Sequence, residues 1–108
     1  MATVIREEWL EAISNPVRRA IARIILVMLF KDKEVMKEGK AISSKELYGK
    51  CEKSLQEFSR AETEAKRSLL FTWAFLELAA IGIIYFNVEG SILVSEEYRK
   101  NPDPPPKS

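Results

Sequence analysis

The chain has 108 residues, a formal net charge of +1, 46% hydrophobic residues and 31% charged residues. This length fits one domain with a single core, and the apolar content excludes a fully disordered chain. The sequence contains no histidine and one cysteine, Cys51, so it lacks the commonest general base, the commonest metal ligand and any internal disulfide. Because it also lacks a Gly-rich phosphate loop, paired-cysteine zinc spacing and a nucleophile elbow, the sequence predicts no enzyme, no cofactor and no metal site.

Two features of the sequence predict a cytoplasmic protein. A single thiol favours a reducing compartment, and the first residues, MATVIREEWLEAI, hold charges where a signal peptide needs an apolar run. The charges are unevenly spread, because residues 15–60 carry eleven Lys or Arg against six Asp or Glu and lie between two acidic flanks. This basic block is either a positive patch for a partner or the solvated face of helices.

The first thirty residues predict two helices. Apolar residues at helical spacing indicate a short amphipathic helix over residues 5–13. Ser14 or Asn15 can cap a second helix, which begins at Pro16 and runs to Phe30, because proline suits the first helical position. The charged segment after Phe30 is predicted to be a connection. The apolar stripe predicted for this second helix consists of Val17, Ile21, Ile24 and Met28.

A third helix is predicted to follow that connection. Ser43 and Glu46 form a capping box, and residues 41–42 just before it could pair as a very short strand. Cys51 falls on the apolar side of this helix, so we interpret it as a core residue rather than a reactive thiol. The predicted buried face consists of Leu47, Tyr48, Cys51, Leu55 and Phe58.

A fourth helix and a β-hairpin are predicted for the C-terminal half. Ser59 and Glu62 form a second capping box, and Gly82 is placed to end the helix. The runs IIYFNV and SILVS then predict a hairpin with a tight tip at Glu89-Gly90. The predicted domain covers residues 1–95, and the Pro-rich segment 96–108 is predicted to be a disordered tail.

The apolar stretch LLFTWAFLELAAIGIIYF, residues 69–86, could also be considered as a membrane span. It is slightly shorter than the ~20 residues that a spanning helix needs. Glu77 near its middle would cost about 2.5–3.5 kcal/mol on the insertion scale. We therefore predict no membrane association and divide the stretch into the end of a helix and the first strand of the hairpin.

The predicted order of elements resembles a winged helix-turn-helix domain. The segments ISSKELY and FLELAAIGII, followed by the hairpin, are similar to that superfamily over residues 15–95. They look most like the C-terminal winged helix of archaeal origin-recognition initiators, and SNPVRRAIARIIL looks like the first helix of small winged-helix regulators. The expected fold is mostly α with a C-terminal β-hairpin. The positions that match the superfamily's pattern are Phe75, Leu78, Ile81, Gly82 and Ile83.

The resemblance implies a small transcriptional regulator that binds double-stranded DNA as a homodimer. In such proteins the third core helix usually enters the major groove, here residues 60–81, and the hairpin, or wing, touches the backbone or the minor groove. Cationic and hydroxyl side chains near that helix could then contact phosphates or base edges. The residues predicted to bind DNA are Lys45, Arg60, Lys66, Arg67, Ser68 and Thr72.

Two features of the sequence argue against DNA binding. The wing FNVEGSI has no Lys or Arg and places Glu89 at its tip. The same helix also carries a second apolar stripe, which either packs under the N-terminal helix or forms an interface. The alternative function is a protein–protein interaction module of a replication or transcription assembly that does not read DNA. The residues predicted for a dimer or partner interface are Trp9, Leu69, Trp73 and Leu76.

Overall fold

The structure is a computed structural model that describes residues 7–58 and 63–100. Within these residues it is mostly helical and has one two-stranded antiparallel sheet near its C-terminal end. The elements in chain order are α1 (Glu7–Leu10), α2 (Pro16–Lys31), α3 (Lys33–Met36), α4 (Ser44–Phe58), α5 (Glu64–Ile81), β1 (Ile84–Phe86), β2 (Ile92–Val94) and α6 (Glu96–Lys100).

Helix α2 is the centre of the core and packs against both α4 and α5. Of its predicted stripe, Ile21 is buried, Ile24 and Met28 are half-buried, and Val17 is exposed. Three of the four residues thus contact the core, but they are not the centre of the buried side, because the helix is apolar nearly all round from Ile24 onward and its periodicity there does not show which side faces inward. The residues that α2 buries are Ile21, Ala22, Ile25, Leu26, Leu29 and Phe30.

Two side-chain caps define the ends of α2 and of the next helix. Asn15 Oδ1 accepts from the backbone N–H groups of Val17 and Arg18, both at 3.0 Å, which confirms one of the two predicted caps. Asp32 follows α2 directly and accepts from Glu34 N and Val35 N, which starts α3. The segment predicted as a charged connection therefore contains a helical turn.

Helix α4 begins at the predicted capping box, where Ser43 Oγ accepts from Glu46 N at 3.1 Å. Its buried residues are Leu47, Cys51 and Leu55, as predicted, whereas Tyr48 is half-buried. Phe58 is exposed, contrary to the prediction, because it is the last residue of the helix and lies beyond the part that faces the core. Just before the cap, Ile42 forms an isolated antiparallel bridge with Ile92 of β2.

Helix α5 begins later than predicted and ends where predicted. Its cap is Thr63, whose Oγ1 accepts from Lys66 N at 3.2 Å, while the predicted capping box of residues 59–62 lies outside the described residues. Gly82 ends the helix with φ 97°, and its N–H donates to Leu78 O and Ala79 O. Glycine suits this position because a Cβ disfavours the left-handed conformation.

The hairpin pairs Ile84 with Val94 and Phe86 with Ile92 in antiparallel register. Its loop covers residues 87–91 and is wider than the predicted two-residue tip. Asn87 organises the loop, since its Oδ1 accepts from the N–H groups of Glu89 and Ser91 at 3.0 and 2.9 Å. The aromatic and β-branched residues after Gly82 thus form the predicted hairpin. Residues 69–86 accordingly contain the end of α5 and the strand β1, and no helix among the described residues is long and apolar enough to cross a membrane.

The last described element, α6, was not predicted. Residues 96–100 are helical, so the expected disorder does not begin at residue 96, and residues 101–108 lie outside the described part of the chain. Tyr98 is buried and meets Trp9 edge-on, with the ring centroids 5.1 Å apart. Because this contact joins α6 to α1, at the other end of the chain, no local pattern in the sequence could indicate it.

Candidate functional site

Helix α5 has two apolar sides. The inner side is buried in the core and consists of Phe71, Ala74, Phe75 and Leu78. The outer side carries Leu69, Trp73 and Leu76, which are 50%, 46% and 51% exposed, respectively. Together with the exposed Ala80 they recur at i, i+4, i+7 and i+11, which is the spacing of a seam that packs against another helix. We call these four residues the α5 stripe.

An ion pair lies beside Trp73. Arg18 of α2 places its guanidinium carbon 5.1 Å from the centroid of the indole ring, within range of a cation–π contact. Its Nε also lies 3.5 Å from Glu77 Oε2, and both side chains are about one-third exposed or less. Arg18 therefore packs on one side of the indole, while nearly half of Trp73 remains open to solvent. The sequence offered no signal for this contact, since Arg18 is on a different helix.

Trp9 was predicted to share an interface with the stripe, and the structure places it elsewhere. Its ring meets Phe30 at 5.8 Å as well as Tyr98 at 5.1 Å, so it is half-buried between α1, α2 and α6. Phe30 and Arg18 are twelve residues apart on α2, a distance of about 18 Å along the helix axis. Trp9 is thus separated from Trp73 by most of the length of α2.

The residues predicted to contact DNA differ in their exposure. Lys45 and Lys66 are exposed, and Arg67 is half-buried. Ser68 and Thr72 are exposed on α5, and the Thr72 hydroxyl donates to the Ser68 carbonyl at 3.0 Å. Residue 60, the remaining predicted contact, lies outside the described residues. The α5 stripe is exposed on the same helix.

A groove of about 440 Å³ lies between the beginning of α4, α5 and the hairpin. It brings together Lys45, Ser68 and Thr72 at positions that sequence analysis had selected separately. Leu76 of the α5 stripe also lines this groove, so the two features are continuous. The full lining is Ser44, Lys45, Tyr48, Ser68, Phe71, Thr72, Phe75, Leu76, Phe86 and Gly90.

Aromatic side chains form much of the groove. Phe75 lies between Phe71, at 5.7 Å in a stacked arrangement, and Phe86, at 5.3 Å edge-on. Tyr48 meets Phe71 edge-on at 5.0 Å, and its buried hydroxyl has no hydrogen-bond partner among the described residues. Sequence analysis missed Phe86 because its place in the groove depends on how the hairpin folds back onto α5.

Cys51 lies in the core and has no part in the groove. Burial raises the pKa of its thiol from 9.0 to about 12, which keeps the side chain protonated and poorly nucleophilic at neutral pH. This agrees with its prediction as a core residue. Within the described residues, no group of three or more His, Cys, Asp or Glu side chains is placed to hold a metal ion.

The apolar surface of α5 and its adjoining groove are therefore the features of the described structure best suited to recognition. They combine aliphatic and aromatic side chains with a few hydroxyls and one lysine. A scan against protein-family models, a search of curated proteins and a search of solved structures each found no match for this chain.

Proposed function

We propose that this chain is a winged-helix module that associates with another protein chain through the α5 stripe. The observation that carries the proposal is the exposure of Leu69, Trp73 and Leu76 on the outer side of α5, each about half open to solvent. Tryptophan is among the residues that most often carry the binding energy at protein interfaces, and apolar neighbours such as the two leucines help to exclude water from it.

The order and pairing of the elements support the winged-helix part of the proposal. Helices α2, α4 and α5 form the helical core, and the hairpin follows α5 directly, which is the order of that superfamily. Ile42, just before α4, pairs with Ile92 of the hairpin and so supplies the position of a third strand. Gly82 ends the last core helix at the position that carried the resemblance.

The exposed side chains of α5 are better suited to association with another protein than to recognition of DNA bases. A helix that reads the major groove presents hydrogen-bonding side chains to base edges and cations to phosphates. The exposed polar residues of α5 are Glu64, Lys66, Ser68 and Thr72. The same helix exposes three large apolar side chains, Leu69, Trp73 and Leu76, which base edges and phosphates cannot use. The loop of the hairpin adds a carboxylate, Glu89, which phosphate would repel.

Binding of double-stranded DNA, as a small transcriptional regulator, remains the second candidate. One observation favours it, namely that Lys45, Ser68 and Thr72 line one groove beside the first turn of α4. Backbone N–H groups at the start of a helix attract phosphate, and Lys45 would add a positive charge there. This surface could hold a phosphate backbone without the outer side of α5 entering the major groove.

A comparative capture experiment tests the proposed function. The tagged wild-type chain and a tagged Leu69→Ser/Leu76→Ser variant are used as baits in the same cell extract. Val88→Ser is the matched control, because Val88 is a fully exposed apolar residue on the hairpin loop and outside the stripe. We expect wild type and the control to capture the same protein, which can be another copy of this chain, and the stripe variant to lose it. Equal capture by all three baits would refute the proposal.

The DNA candidate is tested by duplex retardation over a salt series. If DNA binding is the function, affinity should fall steeply with salt, and Lys45→Gln should weaken binding while leaving the fold intact. Lys31→Gln, which removes one positive charge at an exposed position outside the groove, should then bind DNA as wild type does. If the duplex is not retarded even at low salt, the DNA candidate is rejected.

A further inference from the structure

We infer that the partner of the α5 stripe is a second copy of this chain, with the two α5 helices packed antiparallel around a twofold axis beside Thr72 and Trp73. This inference rests on the proposed function and names the occupant of the same surface. Closed twofold dimers are the commonest soluble oligomers, and they require a surface that is complementary to itself.

The outer side of α5 has this self-complementary arrangement. Six of its seven exposed non-charged residues are symmetric about the point between positions 72 and 73, and the seventh, Ser68, would face Glu77 of the other copy. In an antiparallel pair centred there, Leu69 of one copy faces Leu76 of the other, and Ala65 faces Ala80. The small residues near both ends would let the helix axes approach closely, while the two Trp73 rings would lie side by side at the axis. The symmetric set is Ala65, Leu69, Thr72, Trp73, Leu76 and Ala80, all of them exposed.

The charges of α5 also favour the antiparallel orientation. Its first half carries Glu64, Lys66 and Arg67, and its second half carries only Glu77. Antiparallel packing brings the Arg18–Glu77 pair of one copy near Lys66 and Arg67 of the other, so that Glu77 lies between positive charges, whereas parallel packing would set Lys66 and Arg67 of the two copies against each other. Antiparallel helix dipoles add a small attraction in the same direction.

The surroundings of the stripe leave it accessible to a second copy. Val17, one residue before Arg18 on α2, is an exposed apolar residue as well. On the other side, Leu76 continues into the groove at Phe86. The described chain ends, α1 and α6, meet through Trp9 and Tyr98 near the far end of α2.

The size of the surface sets the expected strength of the dimer. Three bulky side chains per copy, each about half exposed, form an interface below the ~1,200–2,000 Å² of stable complexes. We therefore expect a reversible dimer that dissociates on dilution, rather than an obligate one. The Arg18–Glu77 pair beside each Trp73 would become less hydrated in the dimer.

Sedimentation of the purified chain over a wide range of concentrations tests the dimer. We expect wild type and Val88→Ser to pass from monomer to dimer as concentration rises, and Leu69→Ser/Leu76→Ser to stay monomeric. Thermal melts measured at the monomeric concentration should show that the stripe variant is still folded. A wild-type protein that is monomeric throughout, or a dimer that survives the double substitution, would overturn the inference.

Cysteine cross-linking tests the orientation. In the antiparallel register, Leu69 of one copy lies beside Leu76 of the other, but the two copies of position 69 are separated by about seven residues, or ~10 Å along the axis. A disulfide needs Cα atoms within about 7 Å. An equimolar mixture of the Leu69→Cys and Leu76→Cys variants should therefore cross-link faster than either variant alone. Buried Cys51 can stay in place, because it cannot reach the surface in the folded protein. Faster cross-linking within either single variant would indicate another orientation and would contradict the inference.

The two proposals can fail separately. If the purified chain is monomeric and the capture experiment finds a different protein that depends on the stripe, association through α5 stands and the second copy is excluded. If neither self-association nor stripe-dependent capture occurs, both proposals are wrong.

Discussion

The inner and outer sides of α5 have similar apolar content. The inner side is covered by other elements of the chain, whereas the outer side is exposed to solvent. Phe71, Phe75 and Leu78 on the inner side pack into the core. Leu69 and Leu76 on the outer side remain half exposed, although they belong to the same four turns of helix. The comparison teaches that hydrophobicity alone does not mark the core. Only the packing of α2, α4 and the hairpin against α5 distinguishes the side that stabilises the fold from the side that is available to a partner.

The largest expected effect comes from the same substitution on the two sides. Leu78→Ala should lower the free energy of unfolding by about 2–5 kcal/mol, because Leu78 is fully buried and its removal leaves a cavity. Leu76→Ala should change it by only about 0.5 kcal/mol, since that side chain is half exposed. Urea denaturation of dilute, monomeric protein measures both. Equal losses would show that Leu76 is covered within the monomer.

A second prediction concerns the pH dependence of stability that arises from Cys51, which lies in the same core as the inner side of α5. The thiol has a pKa of 9.0 when unperturbed and about 12 in the folded chain, because burial disfavours the thiolate. Below pH 9 both states are protonated, so stability is unaffected. Between pH 9 and 12 the unfolded chain loses the proton while the folded chain retains it, so stability should fall by up to ~1.4 kcal/mol per pH unit.

The measurement is the difference in pH dependence between wild type and Cys51→Ala. The variant lacks the thiol, so its stability should fall less steeply above pH 9, while the tyrosines and lysines contribute equally to both proteins. Identical slopes would mean that the thiol is already solvated in the folded state.

A third prediction concerns Gly82, the residue that ends α5. Gly82→Ala should cost about 1–2 kcal/mol, because alanine must adopt the left-handed conformation at φ 97° even though no atom lies within 4 Å of the added Cβ. Gly49→Ala is the matched control within α4, where space is equally open and φ is helical. It should raise stability by ~0.5–1 kcal/mol. Thermal melts of the two variants should therefore move in opposite directions.

The smallest expected effect is at the boundary of the two sides, where Arg18 meets Trp73 and Glu77. A double-mutant cycle of Arg18→Gln and Glu77→Gln should give a coupling energy of at most about 1 kcal/mol, because the pair is partly exposed. Chemical denaturation of the four proteins provides the cycle. A coupling of several kcal/mol would place Trp73 and its neighbours within the stabilising core, and the contrast between the two sides of α5 would then weaken.

Local signals in the sequence predicted most of the boundaries of the helices. Asn15, Ser43 and Gly82 act on backbone groups within four residues of themselves, so their roles can be inferred without knowledge of the fold. Thr63 was missed because an equally good capping sequence, Ser59 with Glu62, precedes it in the chain. The C-terminal helix was missed because Tyr98 is held by the distant Trp9.

The candidate site, like the helix boundaries, was predicted where the signal lies within a single helix. The spacing of Leu69, Trp73 and Leu76 indicated a second apolar side on one helix, and such a side is present and exposed. Arg18 and Phe86 could not be assigned to it, because they come from α2 and β1 and reach α5 only through tertiary packing. The sequence pattern of one helix can show which of its residues share a face. Which residues of other elements pack beside that face can be learned only from the structure.

The bridge between Ile42 and Ile92 makes the amide protons of these two residues a sensor of how the domain opens. Each N–H donates to the carbonyl of the other, at 2.9 and 2.7 Å, and both side chains are buried. The chain between them contains α4, α5 and β1, so separating them disconnects the hairpin from the segment before α4. Both protons should therefore exchange with deuterated solvent slowly and at a common rate, while the amide of the exposed Val88 exchanges quickly through local fraying.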